Sequence, residues 1–179
     1  MISTVFVRVR FTLILPVEAS KASTGNMSVN LTRTNTVEII NQSLGEYSER
    51  INAAKLHVIT SAPEQPIFVM ADGRLLWRVM DNLFNNVCKY ALPDTRVYVD
   101  VSSNGGEADI SIKNISRAAL NISADELTER FVRGDSSRST EGSGLGLNIA
   151  KSLVELQKGR FEITTDGDLF KAVIHLPAA

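Results

Sequence analysis

A single cysteine, Cys88, in 179 residues excludes an internal disulfide and suits a reducing compartment. Inside a helical pattern it reads as a small packed hydrophobe rather than a reactive thiol. Net charge is almost absent, with nineteen basic side chains against twenty acidic ones and a formal charge of −1. No basic patch interleaves with aromatic residues, so nucleic-acid binding has no support. Histidine is scarce: His57 and His175 both lie in apolar-alternating segments and read as ordinary strand residues. Long apolar runs are lacking too. The stretch Val5–Leu15 is interrupted by Arg8 and Arg10, falls short of the roughly 20 residues that span a membrane, and alternates like a strand. It shows no clear cleavage site of a signal peptide. There is no internal repeat and no low-complexity segment, and the length suits one sizeable core.

What is present is concentrated in two places. In Glu141-Gly142-Ser143-Gly144-Leu145-Gly146-Leu147, three glycines at alternate positions join a polar stretch to an amphipathic helix. Leu147, Ile149, Ala150, Leu153, Val154 and Leu156 recur at helical spacing. A glycine loop feeding a helix start is an anion site, because free N–H groups and the helix dipole converge where no β-carbon blocks phosphate oxygens. A simple tight turn would satisfy the same residues. The run is neither a Walker loop nor a dinucleotide fingerprint: no Gly-Lys-Ser/Thr follows it, and no strand leads straight into it.

The second place is the helical pattern from Asp72, a candidate N-cap, to Tyr90. Leu75, Leu76, Val79, Leu83, Phe84 and Val87 form its apolar stripe. Asn82, Asn86 and Lys89 share one edge, with Tyr90 adjacent. Three asparagines in five helical residues cost stability. They read either as a solvated polar face or as a functional edge. A carboxamide oxygen suits a hydrated magnesium ion carrying triphosphate oxygens, and a lysine one turn on can meet a phosphate.

Residues from about Val17 onward resemble the catalytic, ATP-binding domain of bacterial sensor histidine kinases, in the superfamily of the gyrase, Hsp90 and MutL ATPases. Asn82-Leu83-Phe84-Asn85-Asn86-Val87-Cys88-Lys89-Tyr90 is similar to the N box. Leu127-Thr128-Glu129-Arg130-Phe131-Val132-Arg133-Gly134-Asp135 is similar to the F box, and Gly142-Ser143-Gly144-Leu145-Gly146-Leu147 to the second glycine box. The boxes occur in the family's order and at its approximate separations. Gly167–Pro177 is similar to the closing strand, without the usual glycine-threonine pair.

The resemblance implies an ATP site formed by Asn82, Asn86, Lys89, Tyr90, Asn114, Phe131, Gly142, Ser143, Gly144, Leu145, Gly146 and Leu147. In it, Asn86 is a magnesium ligand, and Asn82 and Lys89 are the residues nearest the chemistry. ATP relatives that hydrolyse carry a glutamate base four residues before the magnesium asparagine. Asn82 is an amide and cannot act as that base, which favours transfer over hydrolysis. The stretch Ser116–Ser143 corresponds to the mobile lid over ATP, with a short helix near Ala124–Phe131 and Phe131 as its anchor on the core.

Two departures stand out. The adenine-recognition box, an aspartate followed by spaced glycines, is replaced after the strand Ala108–Ile112 by Lys113-Asn114-Ile115-Ser116-Arg117. Asn114 aligns with the aspartate and can accept from an adenine amino group without contributing charge. Some Gram-positive members also carry asparagine there. Second, no phosphoacceptor is evident, since neither histidine has H-box surroundings. Residues 17–27 resemble the end of the dimerisation helix that follows that box, so the chain is expected to begin within a longer architecture. The expected organisation is an unassigned apolar segment at 1–16, the helix remnant at 17–27, and the catalytic domain at 28–179.

The expected fold is an α/β two-layer sandwich, α+β in composition, of the Bergerat type. Its mixed, largely antiparallel sheet packs against three helices. The elements run as a strand Ser28–Arg33, a helix near Thr36–Ala54 capped by Thr34 or Asn35, strands near Leu56–Thr60 and Ile67–Ala71, and the asparagine helix. A turn at Pro93-Asp94 leads to a hairpin of Arg96–Ser102 and Glu107–Lys113 across Asn104-Gly105-Gly106; then come the last helix and a hairpin across Asp166-Gly167. The implied function is transfer of the ATP γ-phosphate to a histidine of a dimerisation domain outside this chain, in a cytoplasmic two-component system with a response regulator as downstream partner. The alternative is a non-catalytic nucleotide-responsive module, a pseudokinase or an anti-sigma-like protein-interaction domain.

Overall fold

A computed structural model describes residues 28–120 and 146–179. The expected strand at Ser28–Arg33 begins later, as β1 (Thr32–Asn35). The residues before it are drawn elsewhere: the Asn30 N–H donates to the Asp72 carboxylate at 3.1 Å. The hydroxyl of Thr34 then anchors the strand on Ala71 O at 3.0 Å. β1 pairs antiparallel with β3 (Phe68–Ala71) in a separate two-stranded ladder.

Between these strands lie α1 (Thr36–Ala53) and β2 (His57–Ser61). Asn35 caps α1, its side chain accepting from the Val37 N–H at 3.1 Å. Then come α2 (Gly73–Tyr90), β4 (Arg96–Asn104), β5 (Glu107–Ile115), α3 (Gly146–Leu156), β6 (Arg160–Asp166) and β7 (Leu169–Pro177). The five-stranded sheet has the order β2-β4-β5-β7-β6; among the described strands only β2 and β4 pair in parallel. This is the two-layer α/β sandwich expected, with a mixed and mostly antiparallel sheet.

The hairpin β4–β5 turns on two residues, Gly105 and Gly106, whose φ angles of 60° and 90° are open to glycine and strained for other residues. Alternate residues of the inner strands face the helices: Val97, Val99 and Val101 on β4, Ala108, Ile110 and Ile112 on β5, and Ala172, Ile174 and Leu176 on β7 are all buried. The apolar stripe of α2 lies against them, with Leu76, Val79 and Phe84 fully buried. The opposite sheet face is polar. Lys113 pairs with Asp100 at 3.0 Å, Arg160 with Glu107 at 2.9 Å, and His175 Nδ1 lies 2.6 Å from Asp109 Oδ1. His57, the first residue of β2, is exposed, so both histidines are strand residues as expected.

A second expectation is corrected: the composition of Lys113–Ile115 predicts the start of an altered loop, but β5 continues through Ile115. Asn114 sits in register between Val97 of β4 and Phe170 of β7. Two long neighbouring strands offer ladder partners there, and the ladder outweighs the loop-like composition. The segments at 1–16 and 17–27, and the helix expected near Ala124–Phe131, lie outside the described residues.

Candidate functional site

Asp72 starts α2. Its carboxylate accepts from the N–H groups of Arg74 at 3.1 Å and Leu75 at 3.4 Å. Burial alone would raise the pKa of this carboxyl. The Arg74 guanidinium and the N–H groups of Asn30, Leu75 and Arg74 outweigh burial and hold it below the ordinary value. The Asp72 N–H in turn donates to Oε1 of the fully buried Gln157 at 2.9 Å, whose Nε2 donates to Leu153 O at 2.8 Å. Gln157 therefore fastens the end of α3 to the beginning of α2.

At its other end, α3 meets the middle of α2. A β-carbon on Gly146 would lie 3.2 Å from Asn82 Oδ1. These two contacts fix the helices as antiparallel, with the first turn of α3 opening toward the half of α2 that carries Asn86, Lys89 and Tyr90. The positive end of the α3 dipole thus faces that half. Asn82 is buried, its Nδ2 donating to Arg78 O at 2.8 Å. Asn86 and Lys89 are half-buried. Tyr90 has 46% of its surface exposed.

The end of α2 is pinned to the end of β5. Leu92 N donates to Ile115 O and Arg117 N to Tyr90 O, both at 2.8 Å, and Ala91 bridges Ser116. This brings Asn114 to the same end of the domain as the asparagine edge. Asn114 is 3% exposed and points to the helix side of β5. Its Nδ2 donates to Ile115 O at 3.2 Å, but its buried Oδ1 has no hydrogen-bond partner among the described residues. A buried acceptor left unsatisfied costs on the order of 1–3 kcal/mol. Such an atom is what an amino group of a bound base would satisfy.

Of the sequence-predicted site residues, the structure brings Asn82 and Gly146 together and sets Asn86, Lys89, Tyr90 and Asn114 at the neighbouring helix and strand ends. The Leu147 side chain is buried in the core at 1% exposure, so only its backbone could face a ligand. Phe131, Gly142, Ser143, Gly144 and Leu145 lie outside the described residues. A cavity of about 880 Å³ opens at the opposite end of α2 among Thr32, Ile39, Gln42, Arg74 and Trp77, and holds none of these residues.

Sequence reasoning missed the polar seam between α1 and α2. The Tyr47 hydroxyl lies 2.6 Å from Asp81 Oδ1, and Arg50 Nη2 donates to Asn85 Oδ1 at 2.6 Å. The third asparagine of α2 thus belongs to this seam. A tyrosine within the α1 stripe, opposite an acidic residue on α2, was the available signal. It missed Gln157 as well, a fully buried polar residue directly after the last residue of α3.

Known proteins agree with this architecture. A profile described as histidine kinase-, DNA gyrase B- and HSP90-like ATPase matches residues 71–179. The probable sensor kinase SilS of Salmonella typhimurium is 30% identical over 114 residues, 63% of this chain and 23% of SilS, so the chain spans about a quarter of that relative's length. Among solved structures, the mycobacterial sensor histidine kinase MprB superposes with a TM-score of 0.68 at 25% identity, covering 83% of this chain and 98% of that one. The Acinetobacter baumannii histidine kinase AdeS shares the fold, with a TM-score of 0.76 at 16% identity over 96% of this chain and 79% of its own. Among the described residues, no helix is long and apolar enough to cross a membrane.

Proposed function

The chain belongs to the family of histidine kinase-, DNA gyrase B- and HSP90-like ATPases, and from that premise we propose that it is the ATP-binding catalytic domain of a two-component sensor histidine kinase. The observation that supports the reading is the buried Oδ1 of Asn114 at the asparagine end of α2, which has no hydrogen-bond partner among the described residues. We assign it as the acceptor for the amino group of adenine. With the base there, the triphosphate runs toward Asn86, Lys89 and the start of α3 at Gly146. The Lys89 ammonium and the positive end of the α3 dipole neutralise phosphate charge.

The donor set suits magnesium: the Asn86 carboxamide oxygen is a hard, neutral ligand for an ion whose other ligands are phosphate oxygens and water. Bound there, the ion would offset the charge of the β- and γ-phosphates. Asn82, one turn earlier, is an amide and takes no proton from water. The γ-phosphoryl group is therefore kept for a better nucleophile. We assign that role to an imidazole nitrogen of a dimerisation domain. The nitrogen forms a bond to the γ-phosphorus, the bond from that phosphorus to the bridging oxygen breaks, and ADP leaves. The phosphohistidine then serves a response regulator, on the cytoplasmic side where ATP is available.

The test is a mixture of this chain, a separately produced dimerisation domain of a related kinase, and γ-labelled ATP. Acid-labile label should form on the dimerisation domain and on neither His57 nor His175. Nucleotide binding without any transfer would overturn the kinase reading in favour of a non-catalytic nucleotide-responsive module.

A further inference from the structure

We propose that Tyr47 and Arg50 on α1 are positioning residues that set the rotation of α2 and so aim Asn82 and Asn86 at the metal and phosphates; the inference rests on the nucleotide-binding reading above. Asp81 and Asn85 are one turn apart on α2, and each immediately precedes one of the two site asparagines. Their edge is therefore turned about 100° from the site edge. Both members of that edge are held from α1. The Tyr47 hydroxyl lies 2.6 Å from Asp81 Oδ1 and 2.9 Å from Asp81 O. The Arg50 guanidinium reaches Asn85 Oδ1 at 2.6 Å and lies 4.7 Å from the centre of the Tyr47 ring.

The grip is rigid at its base. Tyr47 is 5% exposed, and its ring packs 5.8 Å from that of the fully buried Phe84. Burial, and then the Asp81 carboxylate, push the tyrosine hydroxyl above its ordinary value. It therefore remains a neutral donor throughout the physiological range.

Rotation is the coordinate that matters. A side-chain tip sits roughly 6 Å from a helix axis, so a turn of about 10° moves a carboxamide oxygen by about 1 Å. Displacements of that size degrade metal and transition-state geometry severely. Hydrogen bonds at Asp72 and at Tyr90–Leu92 pin the two ends of α2, and apolar side chains hold its depth against the sheet, but packing alone leaves small rotations of its middle inexpensive compared with a directional hydrogen bond. Two hydrogen bonds from α1, one turn apart, restrict that rotation where the site asparagines sit. Asn114 lies on β5 and is untouched by them. The positioning role therefore acts on metal-linked affinity and leaves base recognition alone.

The experiment measures ADP affinity of the full chain with magnesium and with chelator, for wild type, Tyr47→Phe, Arg50→Ala, Arg50→Lys and Asn85→Ala, with a melting curve for each. The ratio of the two affinities should fall by about five-fold in Tyr47→Phe, Arg50→Ala and Asn85→Ala, one hydrogen bond's worth each, and return in part in Arg50→Lys. The chelator affinity should stay within about two-fold of wild type. Variants that melt earlier but keep the wild-type ratio would show a merely structural seam and overturn the inference, leaving nucleotide binding intact. A wild-type chain with no affinity for ADP would instead overturn the underlying reading, and this inference with it. If Tyr47→Phe does not fold, Arg50→Ala and Asn85→Ala decide, since their hydrogen bond lies at the surface.

Discussion

Asn82 and Gly146 meet so closely that a β-carbon on the glycine would lie 3.2 Å from the asparagine Oδ1. Elsewhere near a helix start, Gly→Ala would gain roughly 0.5–1 kcal/mol. Here Asn82 cannot retreat, because it is buried and its Nδ2 is held by Arg78 O. We expect Gly146→Ala to give no stabilisation, and Gly146→Val to lose about 1–3 kcal/mol, measured by denaturant unfolding. A clear gain in Gly146→Ala would mean that the two helices are not in contact there.

Asn114 predicts a trade between stability and binding. Asn114→Leu removes a buried acceptor that has no partner among the described residues, so the nucleotide-free protein should gain about 1 kcal/mol. The same change should weaken ATP or ADP binding by roughly ten-fold or more, since no acceptor is left for the amino group. Melting temperature and calorimetry on one preparation check both signs. A destabilised variant with unchanged affinity would refute the assignment of Asn114 to the base.

Asp72 sets a pH dependence. Its folded-state pKa lies below the ordinary value of 3.8. The stabilisation it contributes is therefore fully present above about pH 4 and is lost as the pH falls through the folded value. Asp72→Ala should cost about 1 kcal/mol at pH 7 through loss of the cap. That penalty should shrink as the pH falls below about 4. A penalty that stays constant through that fall would show that the charged carboxylate is not the capping species.

Gly159 is a purely structural counterpart. A β-carbon there would lie 2.5 Å from His175 O and 2.8 Å from Val154 Cγ1. Backbone cannot yield as a flexible side chain does, so Gly159→Ala should destabilise by about 3 kcal/mol without changing the nucleotide affinity of the molecules that remain folded. Urea unfolding at fixed pH measures the loss.

Much of this molecule is legible in its residues, for identifiable reasons. The stripe of α2 and its Asp72 cap follow from helical periodicity and side-chain geometry, both local properties. The paired glycines Gly105 and Gly106 announce the β4–β5 turn, because few other residues adopt two successive positive φ angles. The site asparagines stand out because they are poor helix formers at helical spacing. What stayed hidden is non-local. The later start of β1 depends on a carboxylate 42 residues away, and the strand character of Asn114 depends on partners on two other strands. The α1–α2 seam joins residues about 35 positions apart, and no local pattern encodes which neighbour Asn85 will face.

The most direct measurement of the central claim is a calorimetric titration of ADP into this chain, with magnesium and with chelator, repeated on Asn86→Ala. The account predicts binding that magnesium strengthens, and an Asn86→Ala variant that loses about 1–3 kcal/mol of affinity in magnesium and little in chelator. Absence of magnesium-dependent binding at millimolar nucleotide in the unmodified chain, or an Asn86→Ala variant with the full magnesium effect, would contradict it.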